Sequence, residues 1–136
     1  MKVLIDLNVL LDVLLDRKKW VEESAALLDA AERKEIDGYI AAHTITTAYY
    51  LVAKGAGDRT ARTAVTDILR ILSVVPLESV DFSQALVLGI PDFEDAVQAA
   101  AAARIGADYI VTRNERDFKK SPVKPRSPAE LMAMLE

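Results

Sequence analysis

The chain has 136 residues, 51% of them hydrophobic, with five glycines, five prolines and no cysteine. That length and balance suit one compact domain, residues 1–136, with its own core, and they exclude a disordered segment, a disulfide-stapled scaffold and any thiolate metal site. A formal net charge of −4 argues against a protein that coats nucleic acid without specificity, although an acidic metal centre can coexist with a local basic rim.

In chain order, Val3 to Ile5 form a continuous apolar run, the signature of a strand covered on both faces. Asp6 follows at once and interrupts the run before it reaches the length of a signal-peptide core, and no small-residue cleavage site comes after it. No stretch is long enough to span a bilayer. The expectation is therefore a cytoplasmic protein with no membrane partner. Leu7, Leu10, Leu11, Leu14 and Leu15 then keep helical spacing, with Asn8 available as a cap and Asp12 and Asp16 on the outer face.

A second amphipathic helix runs from Trp20 to about Arg33, and "EIDGYIAA" supplies a turn and a short strand. A third helix covers about Thr44 to Lys54 and stops at "GAG", after which Asp58 can cap a helix whose inner face is Ala61, Val65, Ile68 and Leu72. "SVVPL" is a strand ended by Pro76, "SVDFSQALVLG" is helical, and the alanine-rich stretch from Phe93 is a strong helix closed by Gly106. Tyr109 to Val111 make another buried strand, and "SPAELMAMLE" is a last helix with a serine cap and an early proline. Alternation of strands and helices predicts an α/β fold, a three-layer α/β/α sandwich around a mainly parallel sheet.

Ligands of open α/β sheets bind beyond the carboxyl ends of the strands. Asp6 stands at one such end, and Thr112, Arg113, Asn114 and Asp117 follow another. Asp95 opens the alanine-rich helix, where Asp92 as cap and Asp95 as third residue also satisfy the free N–H groups of the first turn. Each acid alone has a structural explanation, but three carboxylates at strand and helix ends suit oxygen-ligated Mg²⁺ or Mn²⁺. Arg113, Arg116, Lys119, Lys120, Lys124 and Arg126 form a basic segment, readable as a solvated surface or as a rim that steers phosphate.

The opening "VLIDLNVLLDVLL", the strand–helix order and the late "DFEDAVQAAAAARIGADYIVTRNERDF" resemble the PIN domain family, and in particular its bacterial toxin–antitoxin branch. The resemblance implies a metal-dependent ribonuclease that cleaves RNA phosphodiester bonds with Mg²⁺ or Mn²⁺, and it implies an antitoxin protein and a homodimer as partners. Carried over by position, Asp6, Asp95 and Asp117 match the catalytic metal ligands, with Asn8, Thr112 and Asn114 in support; beside them the residues themselves offer Asp92 as a supporting cap and Arg113 and Arg116 as cations toward RNA. Asn114 stands where many relatives have an aspartate. Thr47 falls where relatives commonly carry a glutamate, and a neutral hydroxyl does not replace a carboxylate as a strong ligand. A PIN-like module that binds RNA or protein with weak catalysis is thus the competing reading.

Other chemistries find less support. His43 is the lone histidine and cannot build a histidine metal cluster. Tyr49, Tyr50 and Trp20 read as packing residues on amphipathic helices. Serine-nucleophile and phosphate-loop motifs are absent. An aspartyl phosphatase would need an acid where Asn8 stands, and a phosphoacceptor domain would need its aspartate after the middle strand, where the chain reads "VVPLES".

Overall fold

The computed structural model describes residues 1–136. Five strands, β1 (Lys2–Ile5), β2 (Asp37–Ala41), β3 (Ser73–Val75), β4 (Tyr109–Val111) and β5 (Lys124–Arg126), form one sheet in the order β3-β2-β1-β4-β5. Every pairing is parallel. Since β1 is central, its backbone is paired on both sides, with Leu4 opposite Tyr39 on β2 and Ile110 on β4. This is why the run Val3–Ile5 is apolar throughout: Val3 and Ile5 enter one core, and Leu4 enters the other.

Helices cover both faces. On one side α1 (Leu7–Leu14), α2 (Val21–Glu32), α4 (Asp58–Ile71) and α7 (Pro128–Met134) bury Leu10, Leu27, Ile68 and Leu131 with Val3, Ile40 and Val111. On the other, α5 (Ser79–Ala85) and α6 (Phe93–Arg104) bury Ala85, Val97 and Ala101 against Leu4, Ile110 and Phe118. The alanines let α6 lie close to the sheet, and Ala99, Ala101 and Ala102 are fully buried. The long α3 (Ala42–Ala56) packs beside α1 and α4, with Leu11, Val52 and Ala61 at the contact. Gly38 permits a close approach on β2, because a Cβ there would stand 2.7 Å from Leu72 Cδ2. No helix is long and apolar enough to cross a membrane.

The expected sandwich is present, with differences at the element ends. Asp6, not Asn8, caps α1, its carboxylate accepting from Leu7 N at 2.8 Å. Gly57, at φ +92°, is the residue between α3 and α4, and Asp58 is already helical and paired with Arg62. Helix α5 ends at Ala85, short of the full "SVDFSQALVLG" stretch. The basic segment is not simply a solvated loop: Glu115–Phe118 form a 3-10 turn, and Lys124–Arg126 add an edge strand. Edge position is what allows Pro125 there, since one side of that strand needs no ladder donor. Asp12, expected on the outer face of α1, is fully buried.

Candidate active site

Strand order reverses at β1: the chain runs outward through β2 and β3, then returns to place β4 on the other flank of β1. A crevice opens at such a switch point beyond the strand ends. Asp6 leaves β1 into it, and its backbone N–H donates to Val111 O of β4 at 2.9 Å. Thr112 leaves β4 beside it. Helix α6 enters the same region by its N-terminus, carrying Asp92 as cap and Asp95 as third residue, with Asp95 N–H donating to Asp92 Oδ1 at 2.9 Å.

Asp6 is 3% exposed and held by three donors. Leu7 N and Gln98 Nε2 reach Oδ1 at 2.8 Å each, and Thr112 Oγ1 reaches Oδ2 at 2.9 Å. Burial raises its pKa, and the hydrogen bonds from Gln98, Thr112 and Leu7 work against that shift. The Thr112 hydroxyl in turn accepts from Asn114 N–H at 3.0 Å, so one side chain ties the β4 exit to both Asp6 and the following turn. Asp117 N–H donates to Asn114 O at 2.9 Å, which fixes the start of the 3-10 turn bearing that acid.

Asp92, Asp95 and Asp117 line a cleft of about 340 Å³ with Pro91 and Arg116. Asp95 has its pKa pushed up to about 7, first by burial and then by the charges of Asp6, Asp92, Asp117 and Glu94. No cation is paired with these acids, since the ion pairs of the molecule lie elsewhere. Asp6, Asp95 and Asp117 therefore form a mutually repelling group. As donors they fit a hard divalent cation, which relieves such repulsion. The side chains do not stand in ion-sharing positions, for no three acids are gathered as a metal site.

Gln98 went unnoticed in the sequence. It lies one helical turn after Asp95, is 2% exposed, donates to Asp6, and leaves its Oε1 buried with no partner. An amide inside an alanine run, three residues beyond an acid, is the signal that was available: a polar group there must find partners. Its unpartnered oxygen is one more neutral oxygen on the side chain that holds Asp6.

The remaining predicted residues are distributed unevenly. Asn8 is half-buried in the first turn of α1, and Asn114 is exposed. Thr47 is half-buried on α3, but its hydroxyl donates to His43 O at 3.2 Å, a bond within its own helix. His43 reaches across to Glu94 O at 3.2 Å and so links α3 to the start of α6. Arg116 is exposed at the wall of the cleft. Arg113 points the other way. Its Nε lies 2.9 Å from Asp12 Oδ2, and its guanidinium stacks 4.5 Å from the centre of the Trp20 ring.

The sequence profile of the PIN domain matches residues 2–116. Ribonuclease VapC1 of Aquifex aeolicus is 25% identical over 122 residues, covering 86% of this chain and 83% of that protein. In three dimensions the chain is similar to the Rickettsia felis VapBC2 structure bound to a promoter DNA fragment, at a TM-score of 0.74 and 15% identity over 93% of this chain and 98% of that one. It is similar also to Mycobacterium tuberculosis VapC20, a toxin that cleaves the sarcin–ricin loop, at a TM-score of 0.67 and 15% identity over 79% of this chain and 86% of that one. With the acid-bearing strand and helix ends brought to one crevice and the profile spanning most of the sequence, the chain belongs to the PIN domain family.

Proposed function

We propose that the protein is a metal-dependent endoribonuclease and the toxin component of a toxin–antitoxin module. One observation carries this reading: Asp6, Asp95 and Asp117 lie near enough to repel one another and none of them is in an ion pair, so that burial first and these charges second push Asp95 up to about 7. The likeness to a VapC ribonuclease and to VapBC structures points the same way.

In this reading Asp6, Asp95 and Asp117 hold Mg²⁺ or Mn²⁺. When bound, such an ion lowers the pKa of water to give a nucleophile and stabilises charge on the attacked phosphodiester. Gln98 and Thr112 keep Asp6 oriented, and Asp92 keeps the first turn of α6 in place beneath Asp95. Asp117, exposed on a short turn, is the acid with freedom to approach the other two. Asn8 and Asn114 are neutral polar groups available to orient water, and Arg116, at the wall of the cleft, is the cation available to steer phosphate.

A second reading, a PIN-like module that binds RNA or a protein partner with weak catalysis, is favoured by Thr47, whose hydroxyl is engaged in its own helix where a carboxylate ligand is common. One experiment separates the two. Single-stranded RNA is incubated with the wild-type protein and Mn²⁺ or Mg²⁺, with EDTA and Asp6→Asn as controls. Cleavage that needs both the metal and Asp6 supports the nuclease; RNA binding without cleavage supports the second reading. Suppression of toxicity by the product of a neighbouring reading frame tests the antitoxin partner.

A further inference from the structure

The cleft beside Asp95 does not end at Asp117. Pro91, Arg116 and Asp117, which wall it, also wall a second hollow of about 210 Å³, completed by Gly89, Ile90, Lys119 and Lys120. A single groove thus runs from the carboxylates, across Arg116, to two ammonium groups. Arg116, Lys119 and Lys120 are exposed and none of them is in an ion pair, whereas Arg113 is committed to Asp12. In a chain of net charge −4, three neighbouring unpaired cations hold a local positive potential next to an acidic centre.

Gly89 shapes this end of the groove. Its φ of +78° is one that L side chains rarely adopt, and a Cβ there would lie 3.2 Å from Lys120 Cδ and 3.6 Å from its Nζ. The lysine side chain therefore lies along bare backbone and keeps its ammonium at the groove instead of extending away from the protein.

We infer that this groove is the track for the RNA strand on one side of the cleaved bond, with Lys120 and Lys119 taking a phosphate beyond the one at the carboxylates and Arg116 standing between. The inference rests on the ribonuclease reading and adds the subsite. The ligand class is single-stranded RNA, since a positively charged groove that follows one backbone is the general way a protein holds a single strand. Cations without a base-stacking residue among the lining side chains bind backbone phosphates, so the subsite does not select sequence. A larger hollow of about 490 Å³ shares Arg116 and Lys119 with this groove and is reached by Lys124 and Arg126, but it is lined by neither Lys120 nor any of the clustered aspartates.

The test is fluorescence anisotropy of a labelled single-stranded oligoribonucleotide, in EDTA and over a range of salt, so that binding is read without cleavage. Lys120→Gln is expected to weaken binding about three- to tenfold at low salt and to make the salt slope shallower by about 0.7, the value for one phosphate contact on a single strand. Gly89→Ala, checked for folding by circular dichroism, should shift affinity in the same direction by displacing Lys120. Lys124→Gln should bind as the wild type does. Where cleavage is measurable, Lys120→Gln should raise KM more than it lowers kcat. Unchanged RNA binding by Lys120→Gln overturns the track, as does a loss confined to Lys124→Gln. Loss of binding to an acidic peptide with RNA binding intact overturns it too and assigns the groove to protein docking. If Lys120→Gln weakens RNA binding but the wild type cleaves nothing with metal, the track stands and the ribonuclease reading fails.

Discussion

Asp6 and Asp12 lie six residues apart, at the start and in the body of one helix, and both are almost wholly buried. Asp12 is matched by cations: Arg113 at 2.9 Å, Arg17 at 3.6 Å, and a hydrogen bond from the Ser24 hydroxyl at 3.1 Å. Trp20 covers the Arg113 guanidinium and completes a closed clamp joining α1, α2 and the exit of β4. Asp6 receives only neutral donors, and its nearest charged neighbours are acids. Burying a carboxylate is costly unless it is paired. The molecule meets that cost with a cation at Asp12 and leaves it standing at Asp6, so Asp12 reads as architecture and Asp6 as chemistry.

This contrast is breakable, and the largest expected effect is on activity. Asp6→Asn keeps the shape and the place of the side chain while removing its charge. RNA cleavage should fall roughly 10³-fold, the scale of losing one principal charge-stabilising group, with an unaltered circular dichroism spectrum. Wild-type cleavage by the folded variant would put Asp6 alongside Asp12 as a structural acid.

Asp12→Ala should act in the opposite sense, on stability. It strands Arg113 without its partner and opens the clamp, at a cost of about 3 kcal/mol in denaturant unfolding. Loss of under about 0.5 kcal/mol would mean that the clamp is decoration.

A smaller effect distinguishes the uncompensated group by pH. Asp95 has a folded pKa of about 7, above its ordinary value of 3.8. An acid raised in this way binds more protons in the folded state between those values, so the metal-free protein should lose stability as pH rises from about 4 to about 7 and level off above. Asp95 is only partly buried, so solvent screening cuts the effect to about 1 kcal/mol. Asp95→Asn should flatten that slope and raise the metal-free melting temperature at pH 8, and thermal scans across pH decide it.

The smallest shift concerns Thr47. Thr47→Glu should lower metal-free stability by adding a like charge, and should enlarge the rise in melting temperature on adding Mn²⁺. A threefold gain in affinity, about 0.6 kcal/mol, is the size expected. An equal Mn²⁺ response in variant and wild type would show that position 47 faces away from the crevice.

Much of this was written in the sequence, because periodicity and end signals are local. The apolar run at Val3–Ile5 announces a doubly covered strand, the Asp92–Asp95 spacing announces a helix start, and Ser127 is the cap that "SPAE" announces, with Glu130 completing the pair in the structure. The sequence by itself also placed acids at three element ends. What it left undecided depends on contacts between distant segments. Asp12 looked like an outer-face residue because α1 says nothing of Arg113, which is 101 positions away, and Arg113 looked like a free cation for the same reason. The edge strand at Lys124–Arg126 has no pattern of its own and exists because β4 offers an unpaired edge. Only the fold brings Gln98 onto Asp6 and strings Arg116, Lys119 and Lys120 along one groove. Charge is a property of residues, but whether a charge is compensated is a property of neighbours, and the tertiary structure alone selects those.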